Sequence, residues 1–353
     1  MNNTKNIKHA YPYLGIVILL HIVGIVLMWI GGAQYPLLMS MGVIAYTLGL
    51  RHAFDADHIA AIDNTVRKLL QQKQNPMGVG FYFSLGHSSV VFLMAAALGI
   101  AVTWAQRHME SFQTTGGLIG TIVSGVFLLL IGILNLVILV QLIQLFRQLR
   151  QRNITDAQMD ELIESRGLIM RFVQPLFQFI QKSWHIFPLG FLFGLGFDTA
   201  SEVSLLALSA GAAQHTVPFL GIIALPILFA AGMSLLDTLD GVLMTNAYHW
   251  AFDKPARKIF YNITMTAISV VAALLIGGVE IMQLLGEKWH WKNGFLGWVT
   301  QLDFGWLGYA LVVVLILSWI IAMVVWKVAA LKKDGVNFMI KKRFKQTERQ
   351  TSV

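Results

Sequence analysis

Residues 117–141 read GLIGTIVSGVFLLLIGILNLVILVQ, a run without one charged side chain. A helix rises about 1.5 Å per residue, so this run is long enough to cross the roughly 30 Å of hydrocarbon in a bilayer. Apolar runs of this length are typical of transmembrane helices and too long for the core helices of soluble domains. This stretch therefore predicts a protein that spans a membrane.

Similar apolar runs occur on both sides of this stretch. Hydrophobic residues make up 56% of the 353-residue chain and charged residues 12%, and the charged share is about half that of a globular protein. We predict an all-α, polytopic integral membrane protein of about eight transmembrane helices. The predicted spans are 13–31, 37–59, 79–103, 117–141, 186–211, 217–244, 261–285 and 305–326.

The formal net charge of +8 follows the membrane topology. If the N-terminus is cytoplasmic, 22 Lys and Arg fall in cytoplasmic segments, against Arg107, Lys288 and Lys292 outside. This is the positive-inside bias, so the basic residues do not predict a nucleic-acid partner. We predict a multi-pass protein of the cell (plasma) membrane with both termini cytoplasmic. The first apolar run is too long for a signal peptide and no cleavage pattern follows it, so we expect it to be retained.

The spans fall into two groups. Residues 1–141 carry four spans, 142–185 form a polar, basic cytoplasmic linker, 186–330 carry four more spans, and 331–353 form a basic cytoplasmic tail. Phe54-Asp55-Ala56 in span 2 is echoed by Phe197-Asp198-Thr199 in span 5. Spans 2 and 5 run in opposite directions, as an inverted repeat requires. The echo is short, so chance similarity stays open beside the repeat.

Ionisable side chains inside the spans predict the function. Burying each carboxylate mid-bilayer costs about 2.5–3.5 kcal/mol, and six of them would exceed a typical net stability of about 5–15 kcal/mol. Among Lys and Arg only Arg51 lies within a span, so protons or a metal must balance the acids, and neighbouring imidazoles favour a metal. The residues are Arg51, His52, Asp55, Asp57 and His58 in span 2, His87 in span 3, Asp198 and Glu202 in span 5, and Asp237 and Asp240 in span 6.

Spacing along span 2 restricts how a metal can bind. His52 and His58 would lie about 9 Å apart along a straight helix, whereas metal–nitrogen bonds are about 2 Å. One ion can take both imidazoles only if the helix is broken between them; otherwise they serve successive sites. We predict a local break or a helix end between these residues, as is common in transporters.

Other polar residues have competing interpretations. His21 in span 1 is compatible with an ordinary packing hydrogen bond, and His87 with either a ligand or a helix bridge through the serines that follow it. Asp57 lies about 140° around the helix from His52, so we expect it to face a neighbouring helix or to hydrogen-bond an imidazole. The chain has no Cys, which excludes disulfides and thiolate metal sites.

Four sequence blocks together resemble the NiCoT nickel/cobalt permeases. They lie in spans 2, 3, 5 and 6, in the order expected for that family: Arg51–Ile59, Leu85–Val91, Leu195–Glu202 and Gly232–Gly241. The resemblance implies that the span 2 block is the transport and selectivity core. Ser201 stands where Thr is expected, which keeps the hydroxyl. We predict His52, Asp55, Asp57, His58 and His87 as metal-binding residues, with Arg51, Asp198, Glu202, Asp237, Asp240 and His21 supporting transport.

Two alternatives remain at this point. His52 and Asp57 also fit the His-x4-Asp pattern of membrane-embedded acyltransferases, in which the His is a general base. That pattern explains neither His58 nor the acids of spans 5 and 6. A carboxylate proton relay would explain the acids without needing an imidazole cluster.

The preferred hypothesis is a permease, not an enzyme, that imports Ni²⁺ or Co²⁺ as its substrate, with no cofactor. Its partners are the ion and the lipid bilayer, and a homodimer stays an open alternative. The chain has no phosphate-binding Gly-x4-Gly-Lys-Ser/Thr motif, so no ATPase subunit is evident and we expect secondary transport. Two charges gain about 4.6 kcal/mol per 100 mV of membrane potential, which could drive import with or without a proton gradient.

Overall fold

A computed structural model describes residues 8–33, 35–100, 102–151, 180–195, 200–214, 217–252, 255–290, 293–302, 306, 308–317, 320, 321 and 324. Every regular element in these ranges is helical, which confirms the all-α prediction. The helices are α1 Tyr11–Gly32, α2 Pro36–His52, α3 Ala56–Gln71, α4 Val79–Ile100, α5 Val102–Gln151, α6 Phe187–Gly194, α7 Ala200–Gln214, α8 Phe219–Phe252, α9 Pro255–Lys288, α10 Gly294–Val299 and α11 Gly308–Leu317.

Five of these helices contain a segment long and apolar enough to cross a membrane, and α2 with α3 makes six if that bent pair is one span. The chain is therefore a polytopic membrane protein, but the count of eight is not confirmed. Predicted spans 5 and 8 correspond to shorter helices in the part of the chain that is described: α6 and α7 for the first, α11 for the second. The five segments are Tyr11–Gly32, Val79–Ala97, Thr115–Gln144, Phe219–Tyr248 and Ile263–Lys288.

The predicted break in span 2 is present. Helix α2 ends at His52, α3 begins at Ala56, and the two axes are bent by 53°. Asp55 precedes the first turn of α3 with an extended backbone, φ −65° and ψ 141°, which interrupts the helical path. The bend falls inside the stretch in which His52 and His58 had to be brought together.

Helix α3 continues well beyond residue 59, where the span was predicted to end. Arg67 and Lys68, which the charge count assigned to a cytoplasmic connection, lie on this helix and are only 1% and 7% exposed. These two residues therefore belong to a buried helix and not to a connecting loop. Hydropathy ended the span at residue 59 because the polar side chains of α3 lower its average, although the helix itself continues.

Helix α8 lies at the centre of the bundle, packed against α1, α2, α3 and α4. Helix α5 packs along α9, and α6 packs along α4. Large apolar side chains on the outside, such as Ile18 and Trp29, are mostly exposed, as expected for a surface that faces lipid. This arrangement places both α4 and α8 beside the break between α2 and α3.

Candidate metal centre

The bend brings two histidines of the same segment together with a third from α4. The ring centroids of His52 and His58 are 4.6 Å apart, and each is 4.7 Å from that of His87. One ring nitrogen from each residue lies within 4.8 Å of the others, and all three side chains are buried. The three imidazoles can therefore converge on one ion.

Each imidazole is oriented by a carboxylate. Nδ1 of His52 is 2.9 Å from Oδ2 of Asp55, and Nδ1 of His58 is 3.3 Å from Oδ2 of Asp237 on α8. When Nδ1–H donates to a carboxylate, Nε2 keeps its lone pair for a metal. Among the described residues, none hydrogen-bonds Nε2 of the buried His58. These contacts present both Nε2 atoms as ligands.

His87 joins the third carboxylate to the cluster. Its Nε2 is 2.9 Å from Nε2 of His52 and 2.8 Å from Oε1 of Glu202 at the start of α7. Because a carboxylate accepts, Nε2 of His87 donates the hydrogen that lies among Nε2 of His52, its own Nε2 and Glu202. A cation binding here would take the place of that proton, because a metal ligand must be deprotonated.

The other predicted residues are placed less centrally. Asp57 is half-buried in the first turn of α3, where a carboxylate is favoured by the helix dipole. Asp240 is half-buried one turn after Asp237, and Arg51 is exposed near the end of α2. Asp198 lies outside the described residues.

His21 is not one of the three converging histidines. Its Nδ1 donates to the carbonyl oxygen of Val17 at 2.8 Å, and its Nε2 is 3.2 Å from the hydroxyl of Tyr46 on α2. With Nδ1 protonated, Nε2 accepts the tyrosine hydrogen. Nδ1 is therefore engaged within α1, and Nε2 joins α1 to α2.

A second buried polar cluster, which the sequence reasoning missed, lies farther along α3. The carboxylate of Asp63 accepts hydrogen bonds from the hydroxyls of Tyr248 at 2.6 Å and Ser269 at 2.5 Å. The side-chain oxygen of Asn64 accepts from Asn135 at 2.6 Å and from Arg67 at 3.0 Å. Following the helical period beyond residue 59 would have revealed this face.

Two further buried polar features were also missed. Ser84 on α4 and Ser234 on α8 share a hydrogen bond of 2.7 Å, and Glu280 on α9 is 5% exposed. Both serines lie within predicted spans, where they gave no signal because a hydroxyl costs little in an apolar run. Glu280 is an acid inside predicted span 7, and the same electrostatic argument could have included it.

Comparison with known proteins identifies close relatives. The family model described as "High-affinity nickel-transport protein", NicO, matches residues 38–325. The chain is 60% identical over 316 residues to "Nickel transporter NixA" of Staphylococcus aureus, covering 90% of this chain and 94% of that protein. It is 50% identical over 335 residues to "High-affinity nickel-transport protein NixA" of Helicobacter pylori, covering 93% and 100%. "Cobalt transport protein NhlF" of Rhodococcus rhodochrous is 39% identical over 314 residues, covering 87% and 89%. No solved structure matches the chain.

Proposed function

Since the chain belongs to the NicO family of high-affinity nickel-transport proteins, we propose that it imports Ni²⁺ through a centre built from His52, His58 and His87. The protein is a multi-pass membrane transporter and not an enzyme, and Ni²⁺ is its substrate. The observation that carries the proposal is the convergence of three buried imidazoles at a helix break.

The donor set suits a divalent transition metal. Imidazole nitrogens favour Ni²⁺, Co²⁺, Cu²⁺ and Zn²⁺ over the hard cations Mg²⁺ and Ca²⁺. Asp55, Glu202 and Asp237 orient the rings and supply the negative charge that a doubly charged ion requires in a buried site. Asp57, Asp240, Arg51 and Asp198 belong to the proposal as groups that attract or neutralise the ion on its way.

Transport requires the centre to open. All three histidines are buried, so the ion must enter and leave through a change of conformation. His52 is the last residue of α2, and His58 lies in the first turn of α3. A change in the bend between these helices would therefore alter the distance between their nitrogens, and with it the affinity for the ion.

The membrane potential can supply the driving force. We propose cytoplasmic termini, so import moves the positive ion toward the negative side and gains about 4.6 kcal/mol per 100 mV. Binding also displaces the proton that His87 holds toward Glu202. A fall in pH when Ni²⁺ is added to the purified protein would support this step, because binding would release that proton into solution.

Uptake of radioactive nickel by cells tests the proposal. In a host without its own nickel uptake, we expect His52→Ala, His58→Ala and His87→Ala to reduce uptake to background at normal expression. His9→Ala is the matched control, since His9 is exposed outside the spans, and it should retain full uptake. Full uptake by the His87→Ala variant would contradict the three-imidazole centre.

Cobalt is the second candidate substrate, because a relative in this family is named a cobalt transport protein. Nitrogen and carboxylate donors accept both ions, so selectivity must come from geometry. A competition assay with Ni²⁺, Co²⁺, Zn²⁺ and Mn²⁺ ranks them. A proton relay, in contrast, would conduct without any dependence on these metals.

A further inference from the structure

Two helix crossings in this bundle are built in the same way. At the crossing of α2 with α8, a Cβ atom on Gly49 would lie less than 3.0 Å from the carbonyl oxygen of Phe229. A Cβ on Gly232 would lie 2.6 Å from the carbonyl oxygen of Tyr46 and 3.1 Å from the amide nitrogen of Leu50. Backbone therefore touches backbone, which only glycine allows.

The crossing of α6 with α4 repeats this pattern. A Cβ on Gly190 would lie less than 3.0 Å from the carbonyl oxygen of Phe83. A Cβ on Gly86 would lie equally close to the carbonyl oxygen of Phe187 and 2.9 Å from the amide nitrogen of Phe191. The same backbone atoms meet the same positions in both crossings.

The sequences at the two crossings correspond as well. Residues 46–50 read YTLGL and residues 187–191 read FPLGF, while 83–86 read FSLG and 229–232 read FAAG. Each pair keeps the aromatic residue three positions before the glycine. The correspondence is crossed: the broken helix of each half packs against the long helix of the other half.

Ring contacts continue the match beyond the glycines. His52 lies three residues after Gly49, and its ring is 5.6 Å from that of Phe229. Phe193 lies three residues after Gly190, and its ring is 5.4 Å from that of Phe83. His52 and Phe193 therefore occupy equivalent positions, one with an imidazole and one with a phenyl ring.

The other helices of the two halves also correspond to one another. Helix α2 ends at His52 and α6 ends at Gly194, and a further helix follows each after a short interval. Helix α4 packs against α8, and α5 packs against α9. Both pairs are therefore unchanged when α4 is exchanged with α8 and α5 with α9, as a repeat requires. The spans of α4 and α5 separate the two broken helices, so these run in opposite directions across the membrane.

We propose that the chain is an inverted repeat, α2–α5 with α6–α9, whose two glycine crossings are the two gates of the carrier. The proposal rests on the proposed transport function. With a cytoplasmic N-terminus, Gly49 lies on the outer side of the break at His52, so the α2–α8 crossing is the outer gate. Gly190 lies on the cytoplasmic side of its break, so the α6–α4 crossing is the inner gate.

Equivalent gates suit a carrier for a physical reason. If the halves have the same architecture, exchanging their conformations converts a state open to one side into a state open to the other at little cost in free energy. The structure, with its buried histidines, has both crossings closed.

The two halves have diverged in chemistry. All three imidazoles come from the first half, where His87 follows Gly86, while the equivalent position after Gly232 is Met233. The second half contributes Glu202 and Asp237, the carboxylates that contact His87 and His58. The first repeat thus supplies all three imidazoles together with Asp55, and the second supplies the two other carboxylates.

Cysteine labelling with all glycines intact is the first test. The chain has no cysteine, so Leu50→Cys and Phe191→Cys each introduce a single thiol, one at each crossing. We expect a membrane-impermeant maleimide to label Leu50→Cys in intact cells and Phe191→Cys in inside-out vesicles. Labelling of both thiols from the same side would overturn the proposal.

Glycine substitution is the second test, with Ser88→Cys as the reporter because Ser88 is buried next to His87. Gly49→Ala should hold the outer gate open and increase labelling from outside, and Gly190→Ala should increase labelling from the cytoplasmic side. Each should lower maximal nickel uptake by at least about 5-fold, the effect of roughly one kcal/mol of bias. Gly15→Ala and Gly278→Ala are controls, since a Cβ there meets nothing within 4 Å.

The outcomes separate this proposal from the transport function. Shifts of labelling to the same side in both variants, or no shift while uptake falls, would overturn the two-gate assignment. Normal nickel uptake by the unsubstituted chain in the same cells keeps the transport function intact in that case. If uptake did not depend on the three histidines, the proposed metal centre would be contradicted, but the proposed repeat would not.

Discussion

Helix α3 carries two buried polar clusters that differ in how their atoms are satisfied. The imidazole cluster at its start leaves Nε2 of His58 without a hydrogen-bond partner among the described residues. The Asp63 cluster farther along engages both carboxylate oxygens with hydroxyls of α8 and α9. A buried polar group without a partner costs free energy, whereas a satisfied one stabilises the fold. We infer that the first cluster serves a guest ion and the second holds α3 in place.

The largest expected effect separates these roles. His58→Gln should abolish nickel uptake while lowering stability less than Asp63→Ala does, because it alters only the contact of Nδ1 with Asp237 and Nε2 makes no hydrogen bond among the described residues. Uptake of radioactive nickel and the midpoint of thermal unfolding without metal are the two measurements. A large loss of stability in this variant would erase the contrast with Asp63.

Asp63→Ala should mainly lower the stability of the protein, whereas the His58 variant should mainly lower nickel uptake. The hydroxyls of Tyr248 and Ser269 would lose their acceptor, and unsatisfied buried groups cost about 1–3 kcal/mol each. We expect a clearly lower unfolding midpoint that added Ni²⁺ does not specifically restore. The triple variant with Asp63→Ala, Tyr248→Phe and Ser269→Ala is the matched control. It leaves neither hydroxyl unsatisfied, so it should destabilise the protein less than Asp63→Ala alone.

Asp237→Asn tests the orientation of His58 separately from its presence. The amide is close in shape to the carboxylate but loses its charge, so it should hold the ring less well in the tautomer that presents Nε2. Loss of such a partner typically lowers metal affinity about 10–100-fold. The half-saturating nickel concentration should rise accordingly, with the maximal rate less affected. An unchanged half-saturating concentration would show that Asp237 does not act through His58.

Gly308→Ala probes the contact that supports the break from outside. A Cβ at this position of α11 would lie less than 3.0 Å from the carbonyl carbon and oxygen of Phe54, inside the break. We expect a change in the nickel concentration at half-saturation of a few-fold, because the bend sets the separation of His52 and His58. The control is Gly211→Ala, where a Cβ meets nothing within 4 Å.

The smallest effect is expected for His21→Gln. Its ring bonds Val17 within α1 and Tyr46 on α2. Neither contact reaches the three converging histidines, so uptake should stay within about 2-fold of that of the unsubstituted chain. Strong loss of uptake at normal expression would give His21 a direct part in transport.

The convergence of the three histidines was largely predictable from local chemistry. Ionisable groups are costly in apolar spans, so His52, His58 and His87 stood out, and the distance between two of them required the break that α2 and α3 show. The resemblance to nickel/cobalt permeases agrees with the family comparison, in which a model of high-affinity nickel-transport proteins matches the chain. Local reasoning was sufficient here because the deciding terms act over a few residues.

The extent of the spans was less predictable. Hydropathy reports the average character of a segment, so it ended span 2 where α3 becomes amphipathic and placed Arg67 in a loop. It also treated α6, which ends at Gly194, and α7, which begins at Ala200, as one span. Which polar face meets which neighbour depends on tertiary packing, and no single-sequence average contains it. The glycine crossings could not be predicted for the same reason. The need for glycine at these positions depends on which backbone lies opposite, and that is known only from the packing of the helices.

The crossed packing of the broken helices also bears on how the chain assembles. Neither α2 nor α6 finds its glycine partner within its own half, so each half alone would expose backbone that only the other covers. A protein cut within 142–185 should therefore remain inactive as separate fragments and recover uptake when both are synthesised in one cell.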